Sequence, residues 1–212
     1  MKRLPLAACL AVLLGVTLFA VTRTDDFNRT DAATLGANWA TPADAEAFQV
    51  YGNLAYPHAA GAVYSWTYWS ADTFGDTQSA EATLGAYSAS FQIGVAVRMQ
   101  AGAVTQGYAC VAWVGAYAIR EFSDSDSSVE LVGSLGTPQN GDVLKCQTDA
   151  TTGITFYVNG VSVGSTTDGT YTSGRTGVMG YGAVMTLNDW TGSDGAAAPA
   201  TAKRLTLLGV GR

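Results

Sequence analysis

At 212 residues the chain is long enough for one large domain with a self-supporting core. Charged residues make up only 13% and AVILMFWYC residues 48%, a balance that excludes a disordered tail. A formal charge of −6 with a single His excludes the basic face that nucleic-acid binding requires.

Lys2 and Arg3 precede an uncharged, largely apolar run from Leu4 to Thr22. A positive start followed by an apolar stretch is the pattern of a secretory signal. As an apolar helix the run is also just long enough to cross a bilayer. Cleavage after Ala20 leaves Leu18 at the −3 position, larger than usual; cleavage after Thr22 leaves Ala20 and Thr22. Leu6-Ala7-Ala8-Cys9 matches a lipoprotein box by residue type but stands before most of the apolar run. Residues 1–22 are therefore expected to be a signal peptide, an apolar anchor, or an arm that packs in an assembly. Residues 23–212 are expected to form one domain. Every acidic residue lies at Asp25 or later. Anionic lipid repels such a domain, so contact with a membrane is expected only through the N-terminal segment.

Beyond Arg23 apolar residues do not recur at helical spacing. Glycine is abundant at 25 residues, Ser and Thr are frequent, and the Lys and Glu of helix surfaces are scarce. Short alternating runs appear instead. Tyr64-Ser65-Trp66-Thr67-Tyr68-Trp69 is the first clear one, and Phe91 to Met99 and Tyr108 to Val114 follow. Ser123 to Ser128 is a polar turn. Asn140-Gly141-Asp142 opens a strand carrying Leu144 and Cys146, and Thr151-Thr152-Gly153 turns into Ile154 to Val158. Asn159-Gly160 then supplies the two positive-φ residues of a type I′ hairpin. Residues 192–200 read as a loop before a final strand at 204–210. Many short strands with turn signals at about ten-residue spacing predict an all-β antiparallel sandwich or barrel.

Cys9 belongs to the leader, which leaves Cys110 and Cys146 as an even pair. In an oxidising compartment they could join across neighbouring strands; otherwise each is a small buried hydrophobe.

Several stretches, taken in order, resemble a known family. Asp26-Phe27-Asn28-Arg29 with Leu35-Gly36-Ala37-Asn38-Trp39 is similar to the opening of concanavalin A-like (laminin-G-like) jelly-roll domains of the bacterial and phage type. Gly141-Asp142-Val143-Leu144, Tyr157-Val158-Asn159-Gly160, Gly174 to Gly177 and Asn188-Asp189-Trp190 resemble later pieces of the same domain. The resemblance implies two stacked antiparallel sheets, one concave, with the terminal strands paired. It also implies calcium, held by Asp25, Asp26, Asn188 and Asp189 where the terminal strands meet, because that hard cation takes oxygen ligands. The bland alternative is that these acids cap turns or pair with Arg29 and Arg204.

Glycoside hydrolysis needs two carboxylates on one sheet face. Glu46, Glu81, Glu121 and Glu130 each lack an in-phase partner, so an enzyme is not expected. His58 sits in a turn-like stretch without a nucleophile motif. Aromatics are the remaining signal. Tyr64, Trp66 and Tyr68 share one strand face, and Trp113 and Tyr117 flank the turn at Gly115. Flat sugar faces stack on such rings, though in-phase aromatics also build cores. The sequence thus predicts a non-catalytic module, secreted or on the cell surface, that binds a glycan or another surface ligand. The alternative is a structural or decoration protein of a virion or filament, packed against copies of itself or other subunits. A degenerate hydrolase stands third.

Overall fold

The computed structural model describes residues 21–58, 64–182 and 184–195. Residues 1–20, which hold most of the expected leader, and the expected last strand at 204–210 lie outside the described residues. No helix among the described residues is long and apolar enough to cross a membrane.

Among the described residues fifteen strands form two sheets. They are β1 (Thr22–Asp25), β2 (Trp39–Ala40), β3 (Gln49–Tyr51), β4 (Leu54–Tyr56), β5 (Tyr64–Trp69), β6 (Ser79–Ala86), β7 (Gln92–Met99) and β8 (Gly107–Trp113), then β9 (Ala116–Phe122), β10 (Ser128–Val132), β11 (Val143–Thr148), β12 (Gly153–Val158), β13 (Val161–Thr167), β14 (Arg175–Tyr181) and β15 (Thr186–Ser193). The first sheet runs β13-β12-β11-β6-β15-β4-β3, with β1 added on β15. The second runs β10-β9-β8-β7-β14-β5-β2. All ladders between these strands are antiparallel.

Local chemistry explains the pairings. Asn159 and Gly160 take φ of 52° and 77° and close the β12–β13 hairpin as their residue types demand. Val114 and Gly115 do the same between β8 and β9, at 47° and 81°. The strand at the C-terminal side runs further than expected: Gly192 and Ser193 continue β15, because they pair with β1 and β6.

The sheets enclose a core in which every second residue points inward. Leu144, Cys146, Ile154 and Phe156 face Val95, Val97, Cys110 and Ile119 across the layer, all fully buried. The Cys110–Cys146 disulfide crosses this layer from β8 to β11, with Cα atoms 5.4 Å apart. It therefore joins the two sheets and not adjacent strands of one, because both cysteines sit at inward-facing positions. Three tryptophans add a second tie. Trp69 of β5 stacks on Trp190 of β15 at 5.5 Å, and Trp39 of β2 meets both edge-on.

The N-terminal motif works as a latch on this cluster. Asp25 accepts hydrogen bonds from the Phe27 N–H, from Arg29 at 2.6 and 2.9 Å, and from Trp39 Nε1 at 2.8 Å. Arg29 also donates to the Leu35 carbonyl at 2.7 Å. Gly36, at φ 95°, turns the chain so that Trp39 enters the core.

Candidate functional site

The face of the second sheet that looks away from the shared core is concave. Strand register lays it out in rows. Tyr64 (β5), Tyr181 (β14), Gln92 (β7), Trp113 (β8) and Ala116 (β9) form one. Trp66, Met179, Gly94, Val111 and Ala118 form the next, and Tyr68, Gly177, Ala96, Ala109 and Arg120 a third. The middle strands carry small residues at Gly94, Ala96, Ala109 and Gly177, so the sheet can bend inward without crowding. The bend is large. Trp66 on β5 meets Phe122 on β9 at 4.5 Å between ring centroids, although three strands lie between them in the sheet. Together with Met99, Met179 and small neighbours these rings make a second buried cluster.

A short strap closes one end of this concavity. The chain leaves β2 at Ala40, paired with Tyr68 of β5, and comes back to β5 at Glu46, beside Ser65. Between them Asp44 reaches to the loops on the opposite side. It accepts from Thr105 N–H at 2.8 Å, from the Thr105 hydroxyl at 2.8 Å and from Ser125 N–H at 3.1 Å. The Asp44 N–H donates to the Ala103 carbonyl at 3.2 Å. Ala45 packs on the Trp66 cluster.

Among the described residues the other end is open, with a depression of about 230 Å³ lined by Trp113, Ala116, Ala118 and Glu130, among others. Arg120 stacks on the Trp113 ring at 3.9 Å and donates to Ser128 Oγ at 2.8 Å. Glu130 lies 3.7 Å from Arg120 Nη1. Burial lowers the Arg120 pKa from its ordinary value, against the opposing pull of Tyr64 and Glu130. Gln92 donates to the Tyr64 hydroxyl at 2.6 Å, and desolvation raises the pKa of that phenol. Two polar atoms here have no hydrogen-bond partner: Arg120 Nη1 and Gln92 Oε1, on side chains of residues 8% and 2% exposed. Whichever way the Gln92 amide is turned, one of its polar atoms stays free. Buried polar atoms in folded proteins are normally paired, and Arg120 Nη1 keeps the Glu130 carboxylate as its ion-pair partner.

The predicted aromatics divide. Tyr64 and Trp113 are half-buried at the open end, and Tyr68 lies further along the face. Trp66 is fully buried and offers no ring face to a ligand. Tyr117 is a correction too. Register pairs it with Ala112, one residue out of phase with Trp113, so it points into the inter-sheet core. There it packs edge-on against Phe156 at 5.4 Å, and its hydroxyl donates to Asp142. Tyr181, Gln92, Arg120 and Asp44 belong to no recognisable motif; only their register brings them in.

The β1–β15 pairing does gather Asp25, Asp26 and Asp189 around one depression, while Asn188 is half-buried. Asp25, however, is committed to Arg29 and Trp39, and Asp26 accepts from the Asn28 N–H at 3.0 Å. Among the described residues no three His, Cys, Asp or Glu side chains gather as a metal-ligand group. No described strand carries more than one carboxylate. His58 lies 3.9 Å from Glu46, away from any nucleophile arrangement.

Neither a protein-family model nor a curated protein matches this sequence. Solved structures do match in shape. A carbohydrate-binding module of Bacillus subtilis (CBM66) is 15% identical with a TM-score of 0.54, over 71% of this chain and 92% of that one. A prokaryotic β-1,3-1,4-glucanase (lichenase) from a mouse hindgut metagenome is 8% identical with a TM-score of 0.53, over 82% and 98%. The Emp46p carbohydrate recognition domain is 9% identical with a TM-score of 0.52, over 74% and 88%. The fold is the concanavalin A-like jelly roll.

Proposed function

We propose that this chain is a non-catalytic carbohydrate-binding module and that its site is the open end of the concave face. The carrying observation is the depression lined by the half-buried Trp113 and by Glu130, next to the Arg120 guanidinium. A sugar in the depression packs on the part of Trp113 that Arg120 leaves free, while Glu130 accepts from its hydroxyls. Similar shapes include both carbohydrate-binding modules and hydrolases, and the non-catalytic half is supported by the described strands, none of which carries two carboxylates on one face.

Export supports the same reading. The Cys110–Cys146 bond is the kind that persists in oxidising compartments, and the charged start and apolar run precede it. Calcium is proposed only for the depression between β1 and β15, at the exposed Asp26 and Asp189. A rise in melting temperature with millimolar calcium, reversed by chelator, supports it; no rise removes it.

The test is a glycan microarray probed with wild type and with Trp113→Ala. Binding that is lost in the variant at little change in melting temperature supports the site. Binding that survives in Trp113→Ala refutes it. Release of reducing sugar from a bound glycan overturns the non-catalytic assignment. Absence of any bound glycan, with ordered self-association instead, favours the assembly reading.

A further inference from the structure

We propose a second ligand site, at the opposite end of the sheet from Trp113, that takes the carboxylate of an acidic sugar on Arg175. It does not depend on the reading of the Trp113 depression. Register sets the two places apart: Trp113 pairs with Gln92 at the start of β7, and Arg175 pairs with Met99 at its end. Seven residues of strand, about 20 Å, separate them.

The site is assembled where β7 runs out and β14 begins. Phe74 bridges to Gly174, and Gln100 Nε2 donates to the carbonyls of Ser173 at 2.7 Å and Arg98 at 3.0 Å. A Cβ at Gly174 would stand 2.6 Å from the Arg98 carbonyl carbon, so only glycine lets this stretch lie against β7. The result is a depression of about 330 Å³, lined by buried Phe74 and Met99, by exposed Thr73 and Ser173, and by Gln100 and Arg175.

Arg175 is anchored on one side and open on the other. Its Nη1 donates to the carbonyls of Ser70, at 3.0 Å, and Asp72, which uses both hydrogens of that nitrogen. The face of the guanidinium lies over the Tyr68 ring, 5.8 Å from its centroid. What remains is the edge formed by Nε and Nη2. Among the described residues neither of these atoms donates a hydrogen bond, and neither is sealed from solvent. Arg23, Arg29 and Arg120 each have a carboxylate, at 2.7, 2.6 and 3.7 Å. Arg175 has no such ion pair among the described residues. Asp72, whose carbonyl it holds, turns its carboxylate to Arg23 and to Trp69 Nε1.

A fixed guanidinium with that edge free donates two parallel hydrogen bonds to the two oxygens of one carboxylate. The hydroxyls of Thr73 and Ser173 suit the hydroxyls of a ring that carries the carboxylate, and Phe74 and Met99 suit its C–H face. The ligand class is therefore a uronic acid residue.

The experiment is calorimetric titration of the whole chain with trigalacturonate, with its methyl ester and with a sulfated galactose trisaccharide. The expected result is one trigalacturonate per protein, bound about tenfold or more tightly than the ester, which keeps the sugar and removes the charge. Arg175→Lys keeps a positive charge but loses the fork, and should weaken trigalacturonate by about tenfold or more. Arg175→Gln should abolish binding. Circular dichroism shows which variants are folded; should Arg175→Gln unfold, Arg175→Lys and the ester decide. Equal affinity for acid and ester, or undiminished binding in Arg175→Lys, overturns the inference. So does a loss in Trp113→Ala that Arg175→Lys does not share, which moves the acid to the other end of the sheet. Binding of the sulfated trisaccharide alone overturns the carboxylate assignment. Binding of none of the three overturns this site and leaves the Trp113 reading to its own microarray test.

Discussion

Reducing the Cys110–Cys146 bond removes the covalent tie between the sheets, and its cost can be worked out. The bond closes a loop of sequence separation 36. The chain-entropy relation gives about 4 kcal/mol for a loop of that length. For a domain of this size each kcal/mol moves the melting temperature by about 2–4 °C, so the shift is about 8–16 °C. Wild type refolded under reducing conditions isolates the cross-link, because both sulfurs remain to fill the core where the cysteines are fully buried. Thermal unfolding of the oxidised and reduced forms, followed by circular dichroism, measures the difference. Cys110→Ala and Cys146→Ala should each cost nearly as much as the double substitution, since either one breaks the bond. Equal melting temperatures for the two redox forms, or single-variant losses that add up to the double, would refute the inter-sheet tie.

Trp66→Ala should destabilise by about 3–5 kcal/mol in urea titration, as a core tryptophan does, whereas Trp113→Ala should cost no more than about 2 kcal/mol, the worth of its Arg120 contact. Arg98 is fully buried and donates to the carbonyls of Asp76, Asp149, Thr151 and Tyr171, joining β7 to three loops. Arg98→Met leaves those carbonyls without the partner and should cost about 3 kcal/mol or more, read by the same titration. Alkaline stability is limited by tyrosines. Burial and the bond to Asp168 push Tyr108 up to about 12, and burial raises Tyr117 beside Asp142. A raised folded pKa contributes stability below the unfolded value near 10, lost as pH climbs toward 12, so unfolding should begin in that window. On the acid side burial opposes ionisation of Asp142 and Asp168, but hydrogen bonds outweigh it and hold both below the ordinary value. Their contribution is present above about pH 4 and lost as pH falls through the folded pKa values, which an acid titration of melting temperature reads.

Much of the architecture was legible because local rules set it. Asn159-Gly160 dictates its own turn, and alternation along residues 64–69 correctly sends Trp66 and Trp69 to opposite faces. The opening motif predicts an entry to the core, and Asp25, Arg29 and Trp39 lock into one. What alternation could not say is whether the outer face is open. Trp66 is buried because the sheet curls until β5 and β9 touch, a property of the whole sheet and of small residues on other strands. Tyr117 was misplaced by one residue of phase: the two-residue turn at Val114-Gly115 puts Trp113 opposite Ala116 and sends its next neighbour inward. Asp44 and Gln92 carried no signal at all, since each matters only through partners far away in sequence.

The pairing of β1 with β15 has a consequence for orientation. Val21 and Asp194 bond each other reciprocally, at 2.8 and 3.0 Å, so whatever precedes and follows them departs from one spot. That spot adjoins Ser79, where β6 begins; β6 then runs the length of the sandwich toward Tyr87, whose hydroxyl accepts from the Gly115 N–H at 2.6 Å beside Trp113. Val21 and Asp194 thus lie at the end of β6 opposite Tyr87 and the Trp113 tip.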